Sequence, residues 1–177
     1  MKELVEKVKG WGVDKGLDKT NPRTQVLKII AEFGELADAI AKQYKEEVKD
    51  AGGDVTVTII VNNDQLDLPF TEPYKTQSRD HTINEALAAL ADIHNLVDII
   101  LTLKEDYDTN YFPVQRYEEI YKEKCNVVLS FVKQVGMEYG LTFKEMLDHA
   151  YNEIKDRTGY TNENGTFIKE EIKWIYL

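Results

Sequence analysis

The stretch that most limits how this chain can fold is Lys28–Tyr44, KIIAEFGELADAIAKQY, with the residues just before it. Val26, Ile29, Ile30, Phe33, Leu36, Ala37, Ile40 and Tyr44 recur three or four apart, the spacing of one apolar helical stripe. Lys28, Glu32 and Glu35 fall at i, i+4 and i+7 and share a second face. Like charges one turn apart cost an isolated helix about 0.2–0.5 kcal/mol, so the pair is either a solvated acidic face or a chelating one.

The next stretch, Glu46–Val61 or EEVKDAGGDVTVTIIV, favours chelation. Glu47, Asp50 and Asp54 lie at i, i+3 and i+7, again on one helical face, and beyond Asp54 the sequence is apolar almost all round. A helix of that composition is buried on most sides, which puts Asp54 at the edge of a core. Buried charges are paired or bind metal. Carboxylates from two neighbouring antiparallel helices would form an oxygen-only site suited to Mg²⁺ or Mn²⁺, and no Cys/His cluster competes for a softer ion.

The runs E-F-G-E-L-A-D-A-I-A-K and K-D-A-G-G-D-V-T-V-T-I-I resemble the MazG-like all-α nucleotide pyrophosphohydrolases, particularly the small phage-type members. The resemblance covers Met1 to about Val61 and returns at Gly140 with G-L-T-F-K-E-M-L-D-H-A-Y-N-E-I-K-D-R-T-G, to about Lys169. It implies an all-α helical bundle with a short irregular or hairpin C-terminal tail. It also implies Mg²⁺-dependent cleavage of a nucleoside triphosphate, a dNTP first of all, at the α–β linkage to monophosphate and pyrophosphate. Carried over by residue, it names Glu32 and Glu35 as catalytic and, with Asp54, as metal ligands. Asp50 or Glu47 completes the set. Ala31 stands where the family often has another Glu, and Ala51 where its second motif has an acidic residue three before the Asp. Those two departures support a second reading, a decayed helical protein that binds another protein through its acidic face.

Around this site the resemblance adds Gln25 and Lys28 near the nucleotide, and Lys155 and Arg157, with Asn152 beside Lys155, as phosphate contacts. The basic pair is equally a helix terminus complementing its dipole. Trp11, on the apolar side of a short helix over Lys2–Lys15, either packs in the core or stacks on the base.

The remaining elements are punctuated clearly. Asn21-Pro22 is a helix start, and Thr82/Glu85 and Thr142/Glu145 read as capping boxes. The second motif helix should end near Asn62, with a long loop from Asn63 to Arg79. Helices are expected to about Lys104 and from Pro113 to about Tyr139, an inserted pair relative to the compact phage-type sequences. This pair is expected to cap the site, form a subunit interface, bind a partner or complete the bundle within one chain. Glu85 and Asp92 repeat the spacing of Glu47 and Asp54, and His94 reads as a core histidine. Gly52 and Gly53 mark either a close approach or a weak helix. Asn164-Gly165 predicts a tight turn of a small hairpin, and the apolar tail with Trp174, Ile175 and Leu177 is expected to dock.

Composition narrows the functional classes. A chain of 177 residues suits one domain, 1–177. A net charge of -10 argues against binding a nucleic-acid polymer. The single cysteine, Cys125, permits no internal disulfide and fits a reducing cytoplasm, bacterial or phage-infected. No signal peptide or bilayer-spanning apolar run is read, so no membrane is expected. The family assembles as homodimers or homotetramers, and the same is expected here.

Overall fold

The computed structural model describes residues 1–74, 82–107 and 112–170. Its described part is an all-α bundle with one small hairpin. The order is α1 (Lys2–Asp14), a 3₁₀ turn (Leu17–Lys19), α2 (Pro22–Lys42), α3 (Lys45–Gln65), α4 (Ile83–Asp106), α5 (Phe112–Glu138), α6 (Phe143–Ile154), β1 (Gly159–Thr161) and β2 (Phe167–Lys169). The expected docking of Trp174, Ile175 and Leu177 lies outside the described residues.

Helix starts follow the sequence closely. The Asn21 side chain accepts from the Arg23 amide at 3.0 Å, with Pro22 at the first helical position. Both capping boxes form, at Thr82/Glu85 and Thr142/Glu145. α2 stops two residues earlier than its apolar stripe implies, because Gln43 turns left-handed at φ 58°.

α3 is the axis of the molecule and packs against α2, α6, α5 and α1. Val48, Val55, Ile59 and Ile60 are fully buried, and Thr56 and Thr58 return their hydroxyls to their own helix, Thr56 to the Gly52 carbonyl at 2.9 Å. The glycines mark a close approach. A Cβ at Gly53 would run into the Met146 carbonyl oxygen and lie 2.7 Å from the Ala150 Cβ, so α3 and α6 touch backbone to backbone.

Two apolar clusters result. The larger joins α2 and α3 to α4 and α5 in one continuous core, so α4 and α5 complete the bundle within the chain. The smaller gathers Leu4, Val5 and Val8 with Val57, Ile60, Leu147, Ala150 and Ile154, and Trp11 packs against it.

Several expectations need correction. α3 continues to Gln65 rather than ending at Asn62, because the polar side chains there find tertiary partners instead of competing with the helix. Asn62 Nδ2 donates to the Pro22 carbonyl at 3.0 Å, Asn63 Nδ2 to the Pro69 carbonyl at 3.3 Å, and Gln65 Nε2 to the Leu17 carbonyl at 2.8 Å. The Tyr121 hydroxyl lies 2.8 Å from Asn62 Oδ1 and 3.0 Å from Asn63 Oδ1. Tyr121→Phe should therefore strand buried acceptors and lower unfolding free energy by about 1–3 kcal/mol, read from a denaturant midpoint at constant slope.

His94 is exposed, not in the core. The Glu85/Asp92 echo is structural: Glu85 closes a capping box, and Asp92 pairs with Lys124 at 2.7 Å. α4 is long and apolar enough, by length and composition, to cross a membrane, with mean hydropathy 1.6 over 18 residues. Only two acidic residues, Asp92 and Asp98, interrupt its apolar run. Its Ala86, Ala89, Leu90, Ile93, Val97 and Ile100 are packed inside the bundle.

Candidate functional site

One cavity, of about 140 Å³, lies where α1, α2, α3 and the end of α6 meet beneath the hairpin. Trp11, Gln25, Lys28, Glu32, Asp54 and Arg157 all line it. Four separate segments thus bring together six residues singled out in the sequence.

The antiparallel pair α2/α3 sets the acidic end. Glu32 is buried, and its carboxylate meets Lys28 Nζ at 2.9 Å, so the residue is not part of a freely solvated face. Asp54 faces it from α3. Burial pushes the Asp54 carboxyl up to about 7, the negative charges of Glu32 and Asp50 push the same way, and the Arg157 guanidinium opposes them. Glu35 adds a smaller push from its exposed place one turn along α2. A half-neutral aspartate among three other carboxylates is a local excess of negative charge, the condition a cation relieves.

The two candidates for completing the acidic set separate in space. Asp50, one turn before Asp54, acts on it electrostatically, and its Oδ1 lies 3.4 Å from His149 Nε2. Glu47 sits two turns away, about 10 Å along the axis, where it faces Lys42 at 3.6 Å. Sharing a helical face with Asp54 was not enough to bring Glu47 to it.

The donors suit a hard divalent cation in kind, being carboxylate oxygens with no thiolate. As they stand, no three His, Cys, Asp or Glu among the described residues converge on one metal position. Lys28 holds Glu32, Asp50 lies against His149, and Glu35 is exposed. Ion binding would have Glu32 exchange its lysine for the cation.

Further along the pair, Gln25 is buried and its Nε2 donates to the Thr58 carbonyl at 3.3 Å. The hairpin then roofs the cavity with Gly165, Thr166 and Phe167. Its strands pair Thr161 with Phe167, and Gly165 makes the turn at φ 78°. Thr161 Oγ1 donates to the Lys15 carbonyl at 2.6 Å, and the Phe167 ring meets Trp11 edge-on at 5.9 Å. The Trp11 indole Nε1 is buried and has no hydrogen-bond partner among the described residues.

Two expected phosphate contacts fall outside the cavity. α6 ends at Ile154, and Lys155 stays on the outer side, its Nζ on Asn152 Oδ1 at 2.8 Å. Asn152 in turn donates to the Asp148 carbonyl at 2.8 Å. Arg157, beyond the helix end, reaches the cavity instead. Thr58, Val57, Leu17, Ile154, Thr166 and Phe167 were missed as lining residues; only the Asn164-Gly165 turn signal pointed to the hairpin that supplies two of them. Cys125 takes no part: burial pushes its thiol up to about 12, which leaves no thiolate near neutral pH.

No protein-family model matches the chain, and no solved structure matches it significantly. A sequence relative is a Haemophilus phage HP1 protein, described as an uncharacterized 18.2 kDa protein in the rep-hol intergenic region. It is 31% identical over 62 residues, a match that takes in 34% of this chain and 38% of that one. The chain therefore spans well under two thirds of that relative's length.

Proposed function

We propose that the chain is a MazG-like, metal-dependent pyrophosphohydrolase that splits a nucleoside triphosphate, a dNTP first of all, into monophosphate and pyrophosphate. The observation that carries this reading is the mixed lining of a single cavity. Trp11, Phe167 and apolar side chains line it together with Lys28, Glu32, Asp54 and Arg157, and the last four interact with one another.

The residues divide the work by position. Lys28 and Arg157 supply positive charge for triphosphate oxygens, and an otherwise acidic molecule has few other cations in its cavity. Glu32, Glu35, Asp54 and Asp50 would hold Mg²⁺ or Mn²⁺, which when bound neutralises phosphate charge and polarises the phosphoryl group. Glu35, one turn from Glu32 and exposed, would take the proton of an attacking water, a catalytic role that comes from the family resemblance. Gln25 fixes the spacing of α2 and α3 through Thr58. The α–β bond as the point of cleavage comes from the family resemblance.

Glu35→Gln tests the assignment without disturbing the core, since the side chain is exposed. With Mg²⁺ or Mn²⁺ and a panel of dNTPs and NTPs, it should lower kcat by about 10²–10³-fold at unchanged melting temperature. Full activity in this variant would remove Glu35 from the mechanism. No turnover by the wild type, together with no Mg²⁺ or Mn²⁺ binding in calorimetry, would turn the reading to the interaction protein.

A further inference from the structure

We propose that the outer face of the α2/α4 pair is an interface between two copies of this chain, which join through it as a weak two-fold dimer. The inference does not depend on the nucleotide reading. Nor does the resemblance supply this surface, since α4 lies outside the residues it covers.

The face exists because α4 is more apolar than its packing requires. Only 39% of its most apolar stretch is buried in the bundle, and Leu87 is 50% exposed, with Ile83 and Ile99 also open. On α2, Leu27 is 59% exposed and Ile30 is open as well. The two helices run antiparallel. Arg23, at the start of α2, meets Asp98 in the second half of α4 at 2.6 Å. Lys104, near the end of α4, reaches the Leu66 carbonyl just past α3, whose last turns Asn62 ties to Pro22 at the start of α2. With Arg23 and Asp98 on one level, equal rise per residue sets Leu27 on the level of His94, Ile30 on that of Ala91 and Gly34 on that of Leu87. Ala31, Gly34, Ala88 and Ala91 are exposed between the larger side chains, low ground into which the Leu and Ile of a facing helix fit. A contiguous apolar surface of this kind marks an interaction site.

Charge decides the occupant. The chain carries a net charge of -10, so two copies repel each other across most orientations. This face is different. Arg23 and Asp98 neutralise one end, Asp38 and Lys42 pair at 2.6 Å at the other, and Lys28, Glu32 and Glu35 occupy another face of α2. In a two-fold interface each patch meets itself, so an unpaired charge would meet its own copy, whereas a neutral patch is self-complementary. A basic partner, which an acidic protein otherwise attracts, finds no free carboxylate among Leu27, Ile30, Gly34, Leu87, Ala91 and His94. The area is sufficient but not generous. From Ile83 to Ile99 the face runs about 24 Å, and two helices side by side are about 20 Å across. Roughly 500 Å² per copy, or about 1,000 Å² in all, is the lower limit for a specific interface, which suits a dissociation constant in the micromolar range.

The test is sedimentation equilibrium of the full chain at concentrations from about 1 to about 200 μM, where a monomer–dimer equilibrium of this strength is resolved. Leu27→Glu and Leu87→Glu place like charges on a surface that meets itself. Each should raise the dissociation constant by about tenfold or more at unchanged far-UV circular dichroism. Met137→Glu, on the similarly exposed Met137 of α5, should leave it unchanged. Leu87→Asn carries no charge and serves if glutamate unfolds the chain; it should weaken the dimer several-fold. A protein that stays monomeric throughout would overturn the proposal and leave the face to a different partner. A dimer indifferent to both glutamates would overturn it as well. So would a dimer lost only when the chain is ended at Lys169, which would place the contact in the tail.

Discussion

Asp54→Asn is expected to abolish pyrophosphate release and, in the same preparation, to raise the melting temperature at pH 8. The opposing signs come from one cause. Folding lifts the Asp54 carboxyl from its ordinary 3.8 to about 7, mainly by burying it. Between those values the folded state binds more protons than the unfolded one, so stability falls as pH rises. The contribution is fully present below about pH 4 and lost by about pH 7. At about 1.4 kcal/mol per unit the ceiling is about 4 kcal/mol, and screening at the residue's open edge reduces it. The amide has no charge to desolvate, so the variant should gain several degrees at pH 8, nothing near pH 4, and lose most of the slope between. Mg²⁺ should narrow the gap by stabilising the wild type alone. Thermal scans at the two pH values check it; an Asn variant no more stable than wild type at pH 8 would mean Asp54 is not buried among like charges.

Gly53→Ala should be the most destabilising single methyl in α3. In an open helix this change stabilises by up to about 1 kcal/mol. Here the new Cβ would strike the Met146 backbone carbonyl and the Ala150 methyl, neither of which can rotate away. Separating α3 from α6 should cost about 3 kcal/mol or more and lower the melting temperature by about 6–12 °C. Gly52→Ala is the control. Its Cβ would meet the Met146 thioether at 2.9 Å, the end of a flexible side chain, so the loss should be smaller. Equal, mild effects at both glycines would contradict the backbone contact. The same contact matters for function, because α6 carries Arg157 to the cavity.

These two residues also show what a sequence can disclose. The position of Asp54 at a core's edge follows from apolar residues on every side of the helix after it, and a glycine pair inside such a helix is costly enough to ask for a reason. Both signals are local. Glu47 and Lys155 went astray because periodicity fixes direction around a helix, not distance along it or where the helix stops. Lys155 stays outside because α6 ends one residue before it, and Arg157 turns inward for the same reason. Phe167 was beyond reach in another way. A turn signal at Asn164-Gly165 announces a hairpin, yet only tertiary packing on Trp11 makes it the roof of a cavity. The pair α4/α5 likewise shows its amphipathic faces in sequence, while its place against α2 and α3 depends on how the helical pairs dock.

The proposed function stands or falls on cleavage of a triphosphate between its α and β phosphorus atoms. The most direct measurement is a ³¹P spectrum of the products formed from dCTP with Mg²⁺. The account predicts monophosphate and pyrophosphate in equal amounts and no orthophosphate; nucleoside diphosphate with orthophosphate would contradict it.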